Sequence, residues 1–206
     1  MAVVLGDVDA VLFDMDGTLV DSDAAVERAW TTWSQRYGVE AAALTALHGS
    51  PADHTVRRLL PTLGTDEVVR AAAEQLELQY DDVADVVATA GAHQAIEVLA
   101  RSGTPWAVVT SADRRLAAAR LGAAGIEAPV LVTVEDVSDG KPDPEGFLLA
   151  ARLLAVPIGR CLVVEDSEPG LAAGRASGAM TAALKGLDGD VRLADLHSLA
   201  SLLASR

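Results

Sequence analysis

Two aspartates one residue apart, Asp14 and Asp16, follow the apolar run Ala10 to Phe13 and precede Gly17 and Thr18. In an extended strand residues two apart share a face, so both carboxylates can project the same way, and Gly17 permits a sharp exit from the sheet. Neighbouring anions repel, and a hard cation between them or a proton on one of them relieves the repulsion. A solvated turn at a strand end accounts for the same residues, because Asp-Gly is a common turn pair.

Three more short clusters have chemical potential. Thr110-Ser111 follows the run Trp106 to Val109 and precedes a helical segment beginning about Asp113. Hydroxyls and free amides before a helix can cradle phosphate, although Ser and Thr are also ordinary caps. In Gly140-Lys141-Pro142-Asp143-Pro144, Asp143 can cap a helix whose first residue is Pro144, leaving Lys141 on the loop before it. Lys141 is one of two lysines among sixteen basic residues, so a lysine here is a compact point charge in a chain that otherwise prefers arginine. Glu165-Asp166-Ser167 follows Cys161 to Val164, where an acidic ligand set or a helix cap would fit.

These clusters need elements that bring them together. Five apolar runs, Ala10 to Phe13, Trp106 to Val109, Val130 to Val134, Cys161 to Val164 and Met180 to Leu184, are apolar on both alternating faces, which predicts parallel strands covered by helices on each side. Asp113 to Leu121, Pro144 to Leu154 and Pro169 to Ser177 are predicted crossover helices. The fold class is therefore α/β, a doubly wound, Rossmann-like parallel sheet. In such a sheet the carboxyl ends of the strands share one edge, and all four clusters fall there.

About ninety residues separate the first two strands, far more than one crossover helix requires. A helical insertion is predicted: one helix from Ser22 as N-cap, burying Val26, Ala29, Trp30, Trp33 and Tyr37 and ending at Gly38, and another from Thr65, burying Val69, Ala72, Ala73, Leu76 and Tyr80. The division is residues 1–19 and 91–206 as the core and 20–90 as the insertion, with hinges near Leu19 to Ser22 and Ala88 to Gly91.

With 206 residues and 50% hydrophobic content, the chain can bury a substantial core. Its formal charge of −14 excludes nucleic acid as a natural partner and requires any anion site to carry a strong local positive field. No apolar run is long enough to span a bilayer, and Met1 to Asp7 lacks the basic start of a signal peptide, so the expectation is a cytoplasmic protein, monomeric or dimeric, with no membrane partner. A single cysteine, Cys161, excludes an intrachain disulfide and sits where burial is expected.

Taken in order, Asp14-x-Asp16-Gly-Thr, Thr110-Ser111, Gly-Lys141-Pro-Asp-Pro and Glu165-Asp166-Ser resemble the haloacid dehalogenase-like hydrolase superfamily over nearly the whole chain. That resemblance implies a HAD-like core with an inserted helical cap. It also implies a phosphatase in which Asp14 is the nucleophile and Asp16 the acid/base, Thr110 and Ser111 bind phosphate, and Lys141 stabilises charge. Mg2+ would be held by Asp14, Asp166 and the main-chain carbonyl of Asp16. Val26 to Trp30, Leu47-His48-Gly49, the Trp106 to Ser111 run and Asp143-Pro144 look most like bacterial sugar phosphatases acting on hexose or hexitol phosphates, which places His48 at the substrate. The implied partner is a small phosphate monoester. The chain departs from that pattern at Ala90-Gly91, where many relatives have Pro-Gly, and at Ser50, where the similar phosphatases carry a lysine.

The rivals are a β-phosphoglucomutase-like phosphohexomutase, a phosphoglycolate or glycerol-phosphate phosphatase, a dehalogenase, and a phosphate-sensing protein without turnover. Against the mutase, Val26 stands where that group has a histidine, and Ala52 where it has a cap arginine.

Overall fold

The computed structural model describes residues 8–44 and 51–205. Its centre is a six-stranded sheet of β1 (Ala10–Phe13), β4 (Trp106–Val109), β5 (Leu131–Val132), β6 (Cys161–Glu165), β7 (Met180–Ala183) and β8 (Val191–Arg192). Their order is β5-β4-β1-β6-β7-β8, and every pairing is parallel. The five predicted strands are present, with β5 shorter than its apolar run; β8 is a sixth, a two-residue strand too short to show periodicity.

Strand alternation divides the core in two. Val11, Phe13, Val108, Leu162 and Val164 face α4 (Ala92–Ser102), α5 (Arg114–Ala123) and α8 (Leu196–Ala204). On the other side, Ala10, Leu12, Val109, Cys161 and Val163 face α6 (Glu145–Leu153) and α7 (Glu168–Ser177). Burial on both faces explains why these strands read as continuous apolar runs. The Cys161 thiol is buried, and burial, with Asp9 nearby, pushes its pKa up to about 11, which suits packing and not reactivity.

Between β1 and β4 the chain forms α1 (Asp23–Tyr37), a 3-10 turn at Ala41–Leu44, α2 (Ala52–Leu59) and α3 (Thr65–Tyr80). Trp33 centres this unit: its indole donates to the carbonyl of Ala71 at 2.8 Å, and its ring packs edge-on to Trp30 and flat on Tyr37. Burying such a side chain contributes on the order of 2–3 kcal/mol. Gly38 ends α1 in the left-handed conformation at φ 67°, as expected of a glycine there.

Two local expectations change. Ser22 occupies the N-cap position of α1 but makes no side-chain cap bond; its hydroxyl goes elsewhere. On α3 the buried stripe is Val68, Ala71, Ala72, Gln75 and Gln79, while Val69 is 59% exposed and Ala73 is also exposed. The helix is rotated from the orientation that apolar periodicity predicts, and two glutamines point inward.

The segments joining this unit to the sheet pair with each other. β2 (Val20–Asp21) and β3 (Val87–Ala88) form a short antiparallel ribbon, extended by the Thr89 amide donating to the Leu19 carbonyl at 3.0 Å. Among the described residues, no helix is long and apolar enough to cross a membrane.

Candidate active site

Asp14 leaves the end of β1 with its amide still bound to the Val164 carbonyl at 2.9 Å, so the sheet itself positions its Cα. Its carboxylate Oδ1 accepts from the Lys141 ammonium. Lys141 also donates to the Val109 carbonyl at 2.9 Å and to Glu165 Oε1 at 2.7 Å, and is only 5% exposed. A solvated loop lysine is thus replaced by a buried cation tying three strand ends together. The helix after it begins at Glu145 and not at Pro144, with Asp143 accepting from the Glu145 amide.

Glu165 is fully buried, and both its oxygens are engaged. Oε2 accepts from the amides of Asp166 and Ser167, each at 3.0 Å, and from the Ser167 hydroxyl at 2.8 Å. Close packing of α7 makes this possible, because a Cβ at Gly170 would lie 1.7 Å from Oε1. Ser167 also caps α7 through the Gly170 amide, so the capping explanation of this cluster holds alongside a site role.

Asp166 completes an acidic trio. Oxygens of Asp14, Glu165 and Asp166 lie within 4.8 Å of one another. Lys185 Nζ sits 3.0 Å from Asp166 Oδ2, and the Thr18 hydroxyl approaches Oδ1 at 3.4 Å. Burial, then Glu165, raises the pKa of Asp14 well above the usual carboxylate range, although Lys141 opposes this. Asp166 is raised for the same reasons, against Lys185. For Lys141 burial works against the charge, but Asp14 and Glu165 outweigh it and raise its pKa. The three carboxylates face two lysines, of which Lys185 is shared with Asp23. Hard carboxylate oxygens at this spacing fit a divalent cation such as Mg2+.

The Asp16 carboxylate is not part of the trio. Its Oδ1 accepts from the Ser22 hydroxyl at 2.7 Å and pairs with Arg120 Nη1 at 2.8 Å. This leaves only the main-chain carbonyl of Asp16 to contribute to a metal set. Arg120 lies on α5 and is almost fully buried; the sequence does not mark it, and it marks Ser22 only as a helix cap. An arginine in an alanine-rich helix carries no local mark of a long-range partner. The pair Gln75 and Gln79 at i, i+4 was the available signal on α3, but apolar periodicity ignores it.

Thr110 and Ser111 line a pocket of about 70 Å3 together with Asp14, Asp16 and Arg120, opposite Trp30 and Gln75 of the helical unit. Thr110 Oγ1 accepts from the Ala112 amide at 3.0 Å, and Asp113 caps α5 by accepting from the Leu116 amide. Asp14, Asp16, Thr110, Ser111, Lys141 and Asp166 are thus brought together; His48 and Ser50 lie outside the described residues.

A doubly wound sheet that gathers carboxylates and one buried ammonium at its carboxyl edge defines an α/β enzyme class suited to hard cations and anionic groups. Within that class the chain belongs to the haloacid dehalogenase-like hydrolase family, whose model matches residues 8–178. It is 36% identical over 201 residues to hexitol phosphatase A of Escherichia coli (strain K12), covering 95% of this chain and 93% of that one. It is 30% identical to a fructose-1-phosphate phosphatase of the same organism, covering 82% and 92%. A solved hydrolase from Pseudomonas syringae superposes with a TM-score of 0.87 at 25% identity, covering 95% of this chain and 97% of that one.

Proposed function

We propose that this protein hydrolyses the phosphate monoester of a small sugar or sugar alcohol through an aspartyl-phosphate on Asp14. The observation that carries the reading is the separation of two aspartates only two residues apart. Asp14 sits with Lys141 and the carboxylates of Glu165 and Asp166, whereas the Asp16 carboxylate is held apart from them by Arg120 and Ser22, and both aspartates line the pocket. One carboxylate is arranged for attack and the other for proton transfer.

In the first step an Asp14 oxygen bonds to phosphorus as the ester P–O bond breaks, and protonated Asp16 gives its proton to the departing alkoxide. In the second, Asp16 takes a proton from water, the hydroxide oxygen bonds to phosphorus, and Asp14 is released with inorganic phosphate. Lys141 balances charge on the phosphoryl oxygens, and Thr110 and Ser111 bind them. Mg2+ would be held by Asp14, Asp166 and the Asp16 carbonyl and would supply further positive charge at the same place.

The substrate class rests on the named activities of the similar E. coli phosphatases and on the pocket. Val26 and Ala52 line it, so those two positions offer no cation for a second phosphate, which disfavours the mutase. Phosphate release from a panel of sugar, polyol, glycerol and glycolate phosphates, with magnesium and with chelator, tests the reading. Release confined to sugar and polyol esters and lost with chelator supports it; efficient conversion of glucose 1-phosphate to glucose 6-phosphate overturns it.

A further inference from the structure

We propose that Gln75, Gln79 and Arg120 form a hydrogen-bonded relay that reads hydroxyl oxygens on the leaving group and positions Asp16. The inference rests on the phosphatase reading and deepens it. The relay is continuous. Gln79 Nε2 donates to Gln75 Oε1 at 2.8 Å, Arg120 Nη2 donates to Gln79 Oε1, and Arg120 Nη1 reaches Asp16 Oδ1 at 2.8 Å. It runs from α3 of the helical unit to α5 and the loop after β1 in the core.

The second observation is what this chain leaves unmade. Gln75 is 0%, Arg120 2% and Gln79 5% exposed, yet Gln75 Nε2 and Arg120 Nε are buried with no hydrogen-bond partner. All three residues line the pocket over Asp14 and Asp16. An unsatisfied buried donor costs about 1–3 kcal/mol, and the rest of the α3 stripe is Val and Ala, so an apolar residue would pack there without that loss. Two unpaired N–H donors on residues that line a cavity beside a nucleophile point to a ligand that brings acceptor oxygens.

Charge narrows the ligand further. The guanidinium of Arg120 is committed through Nη1 to Asp16 and through Nη2 to Gln79, and the Gln75 amide is neutral, so the wall presents single N–H donors and no free bidentate face. It suits neutral hydroxyl or carbonyl oxygens and not a carboxylate or a second phosphate. Trp30, Val26, Leu76 and Leu116 complete the lining and suit the C–H faces of a polyol. Ser22 and Arg120 both hold Oδ1 of Asp16, leaving Oδ2 to carry the transferred proton. Arg120 is therefore a positioning residue, linking leaving-group recognition to the acid/base.

The test compares wild type with Gln75→Leu, Gln79→Leu, Arg120→Met and Arg120→Lys on three magnesium-supplemented substrates: a hexitol phosphate, a linear alkyl phosphate, and p-nitrophenyl phosphate. Both leucine variants should lose about tenfold in kcat/KM on the hexitol phosphate, mainly through KM, and little on the alkyl ester. Arg120→Met should lose roughly 10–100-fold in kcat/KM on the hexitol and alkyl esters, which need a proton to depart. On p-nitrophenyl phosphate, whose anion leaves unprotonated, the loss in kcat/KM should be small, because kcat/KM reports departure of the leaving group and not hydrolysis of the shared aspartyl-phosphate. Arg120→Lys should recover part of the deficit. If Arg120→Met does not fold, Arg120→Lys carries the comparison, since one ammonium cannot span both Gln79 and Asp16. Equal losses on all three substrates, or none, overturn the relay while the phosphatase reading stands. No phosphate release from any of the three by wild type overturns the phosphatase reading itself.

Discussion

Lys141 donates to Glu165 Oε1 at 2.7 Å, and this contact, more than the one to Asp14, is structural, because the other oxygen of Glu165 is saturated by β6-α7 donors. The ammonium is anchored from behind by Glu165 and presented to Asp14 in front. Lys141→Met should strand two buried carboxylates and destabilise the protein by about 3–5 kcal/mol, read from urea unfolding.

Asp14→Asn should have the opposite effect on stability while abolishing turnover. Burial and Glu165 raise the Asp14 pKa in the folded state, so folding is penalised by its ionisation. The penalty is absent below the ordinary carboxylate range and grows as pH rises through the window up to the raised value. Metal-free Asp14→Asn should therefore gain about 1–3 kcal/mol near neutral pH and little in strong acid. Unfolding curves at several pH values check this; equal gains at all pH would contradict the electrostatic cause.

Magnesium should bind more weakly as pH falls, because Asp14 and Asp166 both hold protons more tightly than ordinary carboxylates. Calorimetric titration across pH should show proton release on binding. At a hundredfold excess over Kd, the ion should stabilise the fold by about 2.7 kcal/mol.

Gly17 has φ 79°, and a Cβ there would lie 2.1 Å from Asp166 Oδ2 and 2.8 Å from Lys185 Nζ. Gly17→Ala should displace Asp166, weaken magnesium binding at least about tenfold and cost roughly 1–3 kcal/mol of stability. Thermal denaturation with and without metal separates the two effects.

How much of this was legible depended on the range of the contact involved. Ala10 to Phe13, Trp106 to Val109 and Cys161 to Val164 are buried on both faces, so their composition alone marks parallel strands. β2 and β3 consist of two residues each, below any periodic signal, and exist because their partners are adjacent in space. On α3, Val69 and Val68 are indistinguishable by hydropathy; packing against α1, α2 and α5 selects Val68.

The site divides in the same way. The chain order places Asp14, Asp16, Thr110, Ser111, Lys141, Glu165 and Asp166 at strand ends, and a parallel sheet must gather strand ends at one edge, so the primary structure suffices for that convergence. It does not decide that the Ser22 hydroxyl turns from its helix to Asp16, or that Arg120, one of fourteen arginines, reaches the same oxygen from another helix. Those are side-chain contacts across elements distant in sequence. Their geometry depends on how α3 and α5 pack, and no local pattern of residues encodes it.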